Sequence, residues 1–123
     1  MRPSPPWLLI VFLVGCRPTV TVSAVSLGCF RDQGAQGRPN PTGTTGRDVD
    51  GLLVTETNMT TERCVEACSS KGFSVAATQW RVQCFCGNSY GKSGPAANCN
   101  QPCAGNPHEI CGGDYASSVY RVR

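Results

Sequence analysis

The sequence predicts a small disulfide-rich α+β domain, and two observations carry this prediction. First, eight of the nine cysteines lie between residues 29 and 111, behind a short apolar segment at the N-terminus. An even number of cysteines behind a secretion signal is typical of oxidised extracytoplasmic domains that disulfides hold together. Second, a capped helical segment is followed by two segments of alternating apolar pattern, which indicate one helix and two strands.

Residues 1–24 are predicted to be a targeting segment. Arg2 precedes an apolar run from Trp7 to Val14, and this run is shorter than the roughly 20 residues that a membrane-spanning helix needs. The residues Val22-Ser23-Ala24 fit a small-residue cleavage site. Cleavage after Ala24 leaves residues 25–123 as a single domain, so we expect a secreted or surface protein.

A second interpretation of the leader has a different consequence. The residues Leu13-Val14-Gly15-Cys16 resemble the bacterial lipobox (13–16), in which the cysteine becomes a lipidated N-terminus. Cys16 is also the cysteine that remains when the other eight pair. The sequence leaves open whether Cys16 anchors the protein or is removed with a signal peptide. No Ser/Thr-rich stalk or second apolar run follows Tyr120, so we expect no other membrane anchor and a module that stands alone.

Charge excludes one class of partner. The chain has 11 Lys and Arg against 8 Asp and Glu, and two of the basic residues, Arg2 and Arg17, belong to the leader. The remaining charges almost cancel, so the mature chain has no electrostatic footprint for nucleic acid or anionic lipid. We expect no nucleic-acid partner, and we expect a monomer.

One helix and two strands are predicted in the middle of the chain. Thr60 or Thr61 supplies an N-cap oxygen and Gly72 a C-terminal stop, which together predict a helix over 61–71. Alternating apolar residues predict strands from Phe73 to Trp80 and from Val82 to Cys86.

The spacing of four cysteines fits a helix packed on a strand. Cys64 and Cys68 lie one helical turn apart, and Cys84 and Cys86 lie two strand residues apart. The helix rises about 6 Å over four residues and the strand about 6.6 Å over two, so two bridges can join them side by side. Parallel and crossed pairings both remain open at this point.

The pattern assigns secondary structure less clearly to three other segments. The segment from Gln33 to Asp48 is rich in Gly, Pro, Thr and Asn and is predicted to be a surface loop. The apolar run Leu52–Val54 is too short to assign from its pattern. Ser118–Tyr120 is predicted to be a closing strand, and the cysteine-containing segment before it is predicted to be loop-rich.

A series of motifs with eight cysteines in register closely resembles the WSC domain, from about Leu27 to Tyr120. The motifs are Gly28-Cys29-Phe30, Cys64-x3-Cys68, Cys84-Phe85-Cys86-Gly87-Asn88, Cys99-Asn100-Gln101-Pro102-Cys103 and Cys111-Gly112-Gly113. The segment from Gln33 to Arg47 looks longer than is common in the family.

The resemblance implies a fold and a function. The fold is one helix packed on a small curved antiparallel sheet, similar to PAN/apple domains. WSC domains are extracytoplasmic modules that are regarded as binding carbohydrate without catalysis of their own and without a cofactor. The resemblance also implies four disulfide bonds, namely Cys29–Cys99, Cys64–Cys84, Cys68–Cys86 and Cys103–Cys111.

The candidate binding residues combine aromatic rings with polar side chains, because a sugar has an apolar ring face and hydroxyl groups. They are Trp80, Asn88, Tyr90, Asp114 and Tyr115. The alternative for each aromatic is that it packs on a thin core, the role predicted for Phe30, Phe73, Phe85 and Tyr120. The expected partner is therefore a cell-wall or matrix polysaccharide, and the alternative is a protein, as PAN-like folds often bind.

Enzyme chemistry and a metal site are not expected. His108, which Glu109 follows, is the single histidine, and a catalytic triad would need a nucleophile and an orienting acid beside it. Cys64, Cys68, Cys84 and Cys86 could in principle hold zinc, but an oxidising compartment favours disulfides. Asn58-Met59-Thr60 is a glycosylation sequon, although Thr60 is also explained as a helix cap.

Overall fold

The computed structural model describes residues 22–33, 44 and 46–123. The predicted lipobox, Cys16 and most of the predicted signal peptide lie outside the described residues, as does most of the loop predicted from Gln33 to Asp48. The folded part begins before the predicted cleavage site. Val22 packs against the core, and the Ser23 carbonyl accepts a hydrogen bond of 3.0 Å from the Arg123 amide.

One helix and two antiparallel sheets make up the described chain, which confirms the small disulfide-rich α+β fold. The larger sheet has the strand order β1-β7-β3-β4-β2, and β5 pairs with β6 in the smaller one. The elements are β1 (Ala24–Arg31), β2 (Leu52–Thr55), α1 (Thr61–Ser70), β3 (Val75–Gln79), β4 (Gln83–Gly87), β5 (Pro102–Cys103), β6 (Asn106–Ile110) and β7 (Ala116–Val122).

The helix begins and ends close to the residues that the sequence indicates. The Thr60 hydroxyl accepts a hydrogen bond of 3.0 Å from the Arg63 amide, which satisfies one of the free N–H groups of the first turn. At the other end, the Gly72 amide donates to the Ser69 carbonyl at 3.0 Å. The backbone φ of Gly72 is +84°, a conformation in which glycine has no Cβ penalty.

Two disulfide bonds join α1 to β4 in the parallel arrangement. Cys64 bonds to Cys84 and Cys68 to Cys86, with Cα–Cα distances of 5.4 and 5.2 Å. All four cysteines are fully buried. The structure also contains Cys29–Cys99 and Cys103–Cys111, so the four pairs are those that the family resemblance implies.

Both faces of the central strands are covered, but by different material. On one face Ala76 of β3 lies with Cys84 and Cys86 of β4 under the helix. On the opposite face Val75, Ala77 and Phe85 form a second cluster with Val49 and Val119. Successive strand residues point to opposite sides of a sheet, which is why Phe85 lies away from the helix while its two cysteine neighbours face it.

Some strands match the sequence prediction and others do not. β3, β4 and β7 contain or overlap the predicted strands, and the untyped run Leu52–Val54 is the edge strand β2. β1 escaped prediction because a bulge between Ser26 and Gly28 interrupts its alternation. β6 lies in a segment predicted to be loop-rich, where the Cys103–Cys111 bond closes the short hairpin that it forms with β5.

The end of the predicted surface loop is in fact buried. Thr44 is 0% exposed and Asp48 3%, because a polar network takes the place of apolar packing here. Asp32 accepts hydrogen bonds of 2.8 Å from the Arg47 guanidinium and from the Asp48 amide. The Asp48 carboxylate in turn accepts from the amides of Gly91 and Lys92 at 2.8 and 2.7 Å. One carboxylate thus holds the end of β1 to the loop, and the next holds the loop to the segment after β4.

We expect Asp32→Asn to destabilise the domain by about 3 kcal/mol, because an amide leaves the charge of half-buried Arg47 without its partner. Asp50→Asn is the matched control. Its ion pair with Lys92 measures 3.0 Å, against 2.8 Å for the pair of Asp32 and Arg47, but Asp50 and Lys92 are both about half exposed, so we expect a loss below about 1 kcal/mol. Denaturant unfolding of both variants measures the difference, and equal losses would contradict the role given to Asp32.

Candidate functional site

An open depression of about 300 Å³ lies at the end of the sheet where β3 passes into β4. It is on the face opposite the helix, because its floor includes Gln79 and Gln83. These glutamines lie two strand residues from Ala77 and Phe85 of the second cluster, and side chains two residues apart share one face of a sheet. Arg47, which contacts the Phe85 ring of that cluster, also lines it. The lining residues are Arg47, Gln79, Trp80, Gln83, Asp114 and Tyr115.

Trp80 occupies the tight turn between β3 and β4. Its φ is +52° and that of Arg81 is +70°, a left-handed conformation that costs a non-glycine residue about 1–2 kcal/mol. Hydrogen bonds to the neighbouring hairpin hold this turn. The Arg81 amide donates to the Cys111 carbonyl at 3.1 Å, and the Arg81 carbonyl accepts from the Ala104 amide at 3.1 Å. The Cys103–Cys111 disulfide therefore lies directly behind the turn that presents Trp80.

Tyr115 occupies a second tight turn, between Gly113 and Ala116. Its φ is +50°, and the Gly113 amide donates to the Ala116 carbonyl at 2.9 Å to close the turn. The Tyr115 carbonyl accepts a hydrogen bond of 2.8 Å from the Asp32 amide. A Cβ on Gly112, whose φ is +69°, would lie 2.5 Å from the Thr78 carbonyl oxygen, so glycine is required where the chain enters this turn.

The two aromatic side chains remain exposed although the backbone beneath them is fixed. Trp80 is 57% exposed and Tyr115 is 65% exposed, which places both among the few large hydrophobic side chains of the described residues that face solvent. Single exposed aromatics are common, but two around one depression form an apolar contact surface.

The floor between the aromatics is polar. Gln79 is 3% exposed, and its side-chain oxygen accepts a hydrogen bond of 2.7 Å from the Ser117 hydroxyl. Its amide nitrogen has no hydrogen-bond partner among the described residues. Asp114 is exposed; one carboxylate oxygen accepts from the Gln101 amide at 3.1 Å, and its carbonyl accepts from Asn98 at 2.9 Å. Donors and acceptors are therefore both available to a ligand.

Arg47 brings a positive charge that is already compensated. One guanidinium nitrogen, Nη1, lies 2.8 Å from the Asp32 carboxylate, and the group stacks over the Phe85 ring at 5.0 Å from its centroid. Its Nε is buried and has no hydrogen-bond partner among the residues that the structure describes. Among the described lining residues, Asp114 is therefore the charged group whose charge is not compensated by a salt bridge, and it leaves the depression slightly negative.

Three of the five sequence-predicted residues come together here, and two do not. Trp80, Asp114 and Tyr115 line the depression. Asn88 lies at the other end of the β3–β4 hairpin, where its side-chain oxygen accepts a hydrogen bond of 3.0 Å from the Ser74 amide. Tyr90 packs edge-on against Phe30, with ring centroids 5.1 Å apart, which is the core-packing alternative.

Arg47, Gln79 and Gln83 were not among the predicted site residues. The two glutamines could have been found, because strand alternation places Gln79 and Gln83 on one face on either side of the Trp80 turn. Arg47 carries no local signal, since its position depends on Asp32, which is distant in sequence.

His108 and Glu109 lie elsewhere. His108 is exposed on β6, and Glu109 accepts a hydrogen bond of 3.3 Å from the Thr61 amide at the start of the helix. Three sulfur atoms, those of Cys64, Cys68 and Cys84, lie within 4.8 Å of one another, but all three are bonded in disulfides. Within residues 22–33, 44 and 46–123, no helix is long and apolar enough to cross a membrane.

Known proteins share this domain across animals and fungi. Human Kremen protein 2 is 37% identical over 100 residues, which cover 78% of this chain and 20% of the relative. The xylosyltransferase oxt of Drosophila melanogaster is 35% identical over 102 residues, which cover 80% of this chain and 10% of the relative. A WSC domain-containing protein of Arthroderma benhamiae is 37% identical over 101 residues, with 77% and 10% covered.

This chain thus spans a tenth to a fifth of the length of these curated relatives. The shared part is a non-catalytic extracellular module, and one of the proteins that carries it is an enzyme. The family model for the WSC domain matches residues 26–113, which include all eight bonded cysteines. The chain therefore belongs to the WSC domain family.

Proposed function

We propose that the depression beside Trp80 binds carbohydrate, and that the chain is a non-catalytic module for a cell-wall or matrix polysaccharide. One observation carries the proposal: two exposed aromatic side chains, Trp80 and Tyr115, border a polar floor. The apolar face of a sugar ring stacks on an aromatic ring, while its hydroxyls bond to planar polar groups.

The polar groups of the depression suit sugar hydroxyls. Gln79 and Gln83 offer amides, and Asp114 offers a carboxylate oxygen. A hydroxyl donates one hydrogen bond and accepts others, so it can bridge an amide donor and a carboxylate acceptor. Because Asp32 compensates the charge of Arg47 and Asp114 adds a carboxylate, we infer that the preferred glycan carries no acidic groups.

Affinity for a single sugar is expected to be modest. The depression is shallow and offers one aromatic on each side, so it covers a small part of a ligand, and affinity depends on the quality of such contacts. A polymer presents many equivalent segments, which raises the apparent affinity of a surface that carries several copies of the module. The proposed ligand is therefore a polysaccharide rather than a free monosaccharide.

We expect Trp80→Ala to weaken polysaccharide binding by up to about tenfold, since an aromatic stacking contact is worth about 0.5–1.5 kcal/mol. A glycan array followed by affinity electrophoresis in the matching polysaccharide measures the loss. The free energy of unfolding of the variant should be unchanged or slightly higher, because alanine replaces an exposed side chain.

Asn88→Ala is the control for this experiment. Asn88 is polar and exposed but lies at the opposite end of the hairpin, so we expect it to bind like the parent. A Trp80→Ala variant that binds as well as the parent would contradict the site assignment. A loss of polysaccharide binding in Asn88→Ala would instead place the site at the other end of the β3–β4 hairpin.

A specific observation supports a protein as the alternative ligand. A second open depression of about 380 Å³ borders Trp80 and is lined by Trp80, Arg81, Val82 and Ala104. Tryptophan and arginine beside apolar residues are enriched where protein interfaces concentrate their binding energy. If the parent binds no glycan and captures a protein through Trp80, the module is an interaction domain instead.

We also propose that the chain has no hydrolase or transferase activity of its own. Most glycoside hydrolases need two carboxyl groups that flank the bond to be cleaved, and within the described part of the chain Asp114 is the one carboxylate that lines the depression. We expect no turnover of any polysaccharide that the protein binds, measured by the release of reducing ends. Turnover by the pure protein that His108→Ala or Glu109→Ala abolishes would overturn this proposal.

The chain is proposed to be secreted or held at the cell surface, because its four disulfides need an oxidising compartment. The relatives named above are animal and fungal proteins, which favours removal of Cys16 with a signal peptide over lipidation at a bacterial lipobox. We expect intact mass to show an unmodified N-terminus beyond Cys16, at Val25 by the cleavage pattern. An acylated Cys16 would establish the anchor instead.

A further inference from the structure

We propose that Asn58 carries an N-linked glycan, attached in the secretory pathway of a eukaryotic cell. Asn58-Met59-Thr60 fits the acceptor sequence Asn-x-Ser/Thr. The sequence contains one other Asn-x-Thr, Asn40-Pro41-Thr42, in which proline at the middle position excludes modification. The relatives from human, fly and fungus show that eukaryotic proteins carry this domain.

The structure leaves the acceptor amide accessible. Asn58 lies in the turn between β2 and α1 and is exposed, and its side-chain amide has no hydrogen-bond partner among the described residues. The next residue, Met59, is 1% exposed and sits in the core under the helix. The Gly105 amide donates to the Met59 carbonyl at 2.7 Å. The middle residue of the sequon, Met59, is therefore held in the core, while the acceptor Asn58 remains exposed to solvent.

There is room for the first sugars beside this asparagine. Gly105 packs directly against the Asn58 backbone, and a Cβ at that position would overlap the Asn58 carbonyl. Next to it lies an open polar depression of about 420 Å³, lined by Asn58, Thr60, Glu62, Arg63, Glu66 and Gly105. Polar and charged side chains on the first turns of α1 can bond to the hydroxyls and acetamide of a glycan core. This depression shares no lining residue with the one beside Trp80 and Tyr115, so the glycan leaves the candidate binding site open.

Thr60 serves two processes at different times. In the folded protein its hydroxyl caps the helix by accepting a hydrogen bond from the Arg63 amide. In the unfolded chain the same hydroxyl is free to be read as the third residue of the sequon. Modification before the helix forms avoids a competition between these two uses.

The chemical step is a group transfer from a lipid-linked oligosaccharide diphosphate. The amide nitrogen of Asn58 forms a bond to C1 of the first sugar, and the bond from C1 to the diphosphate oxygen breaks. The amide loses one proton to a base of the host transferase, and the lipid diphosphate leaves with the bonding electrons. No oxidant or reductant is required.

The experiment expresses the full chain in an insect or mammalian cell and compares intact mass before and after peptide N-glycosidase. We expect the parent to lose a glycan mass and to leave aspartate at position 58. Asn58→Gln should show no glycan. Thr60→Ser should keep the glycan, because serine preserves both the sequon and the cap.

Thr60→Asp separates modification from folding. Aspartate is as good an N-cap as threonine or better, but it does not complete a sequon, so this variant should fold and carry no glycan. If a variant fails to reach the medium, the membrane fraction of the cells is analysed in the same way. A parent chain without glycan, or a glycan that survives in Asn58→Gln or in Thr60→Asp, would overturn the proposal.

Discussion

The fold depends on one constraint, the pair of disulfide bonds that joins consecutive turns of the helix to alternate residues of β4. Cys64–Cys84 and Cys68–Cys86 lie fully buried at the centre of the cluster beneath the helix. Cysteines make up most of the buried residues of this cluster, and Met59, Val65 and Ala76 are the others, so the fully buried apolar area that holds the helix in place is limited. Each bond limits the unfolded chain and contributes about 2–4 kcal/mol on the usual model. The bonds thus replace packing that so thin a domain lacks.

On the opposite face of the sheet, where apolar packing is also limited, polar groups hold the structure together. Phe85 and a few aliphatic residues cover its middle, and the carboxylates of Asp32 and Asp48 hold loops over its edge. A buried carboxylate is stable only when it is fully bonded, and both meet that condition with backbone amides or a guanidinium. The cover stops short of the Trp80 turn, which leaves the end of the sheet open as a depression.

The parts of the fold that local pattern determines could be predicted, and the parts that distant contacts determine could not. The Thr60 cap and the matched cysteine spacing indicated the helix and its partner strand from neighbouring residues alone. β6 depends instead on a hairpin that the Cys103–Cys111 bond closes, and the buried end of the 33–48 loop depends on Asp32, 15 residues before Arg47. Neither contact is visible in the pattern of the adjacent residues. For the site, Trp80 and Tyr115 were predictable as polar-flanked aromatics at turns, and Asp114 as the carboxylate beside Tyr115. Asn88 and Tyr90 resemble them in local sequence, and sheet register alone places them at the opposite end.

The backbone itself connects stability to the candidate site. Three non-glycine residues of the described chain have a positive φ, and they are Trp80, Arg81 and Tyr115. Such residues persist only where surrounding contacts over-determine them, and they cluster at functional sites. Here the contacts come from the Cys103–Cys111 hairpin for Trp80 and from Asp32 for Tyr115. Because both aromatics sit on turns that are fixed from behind, a ligand meets them already in place and loses little binding free energy to ordering them. The disulfides and Asp32, through its backbone amide, therefore hold the contact surface as well as the fold.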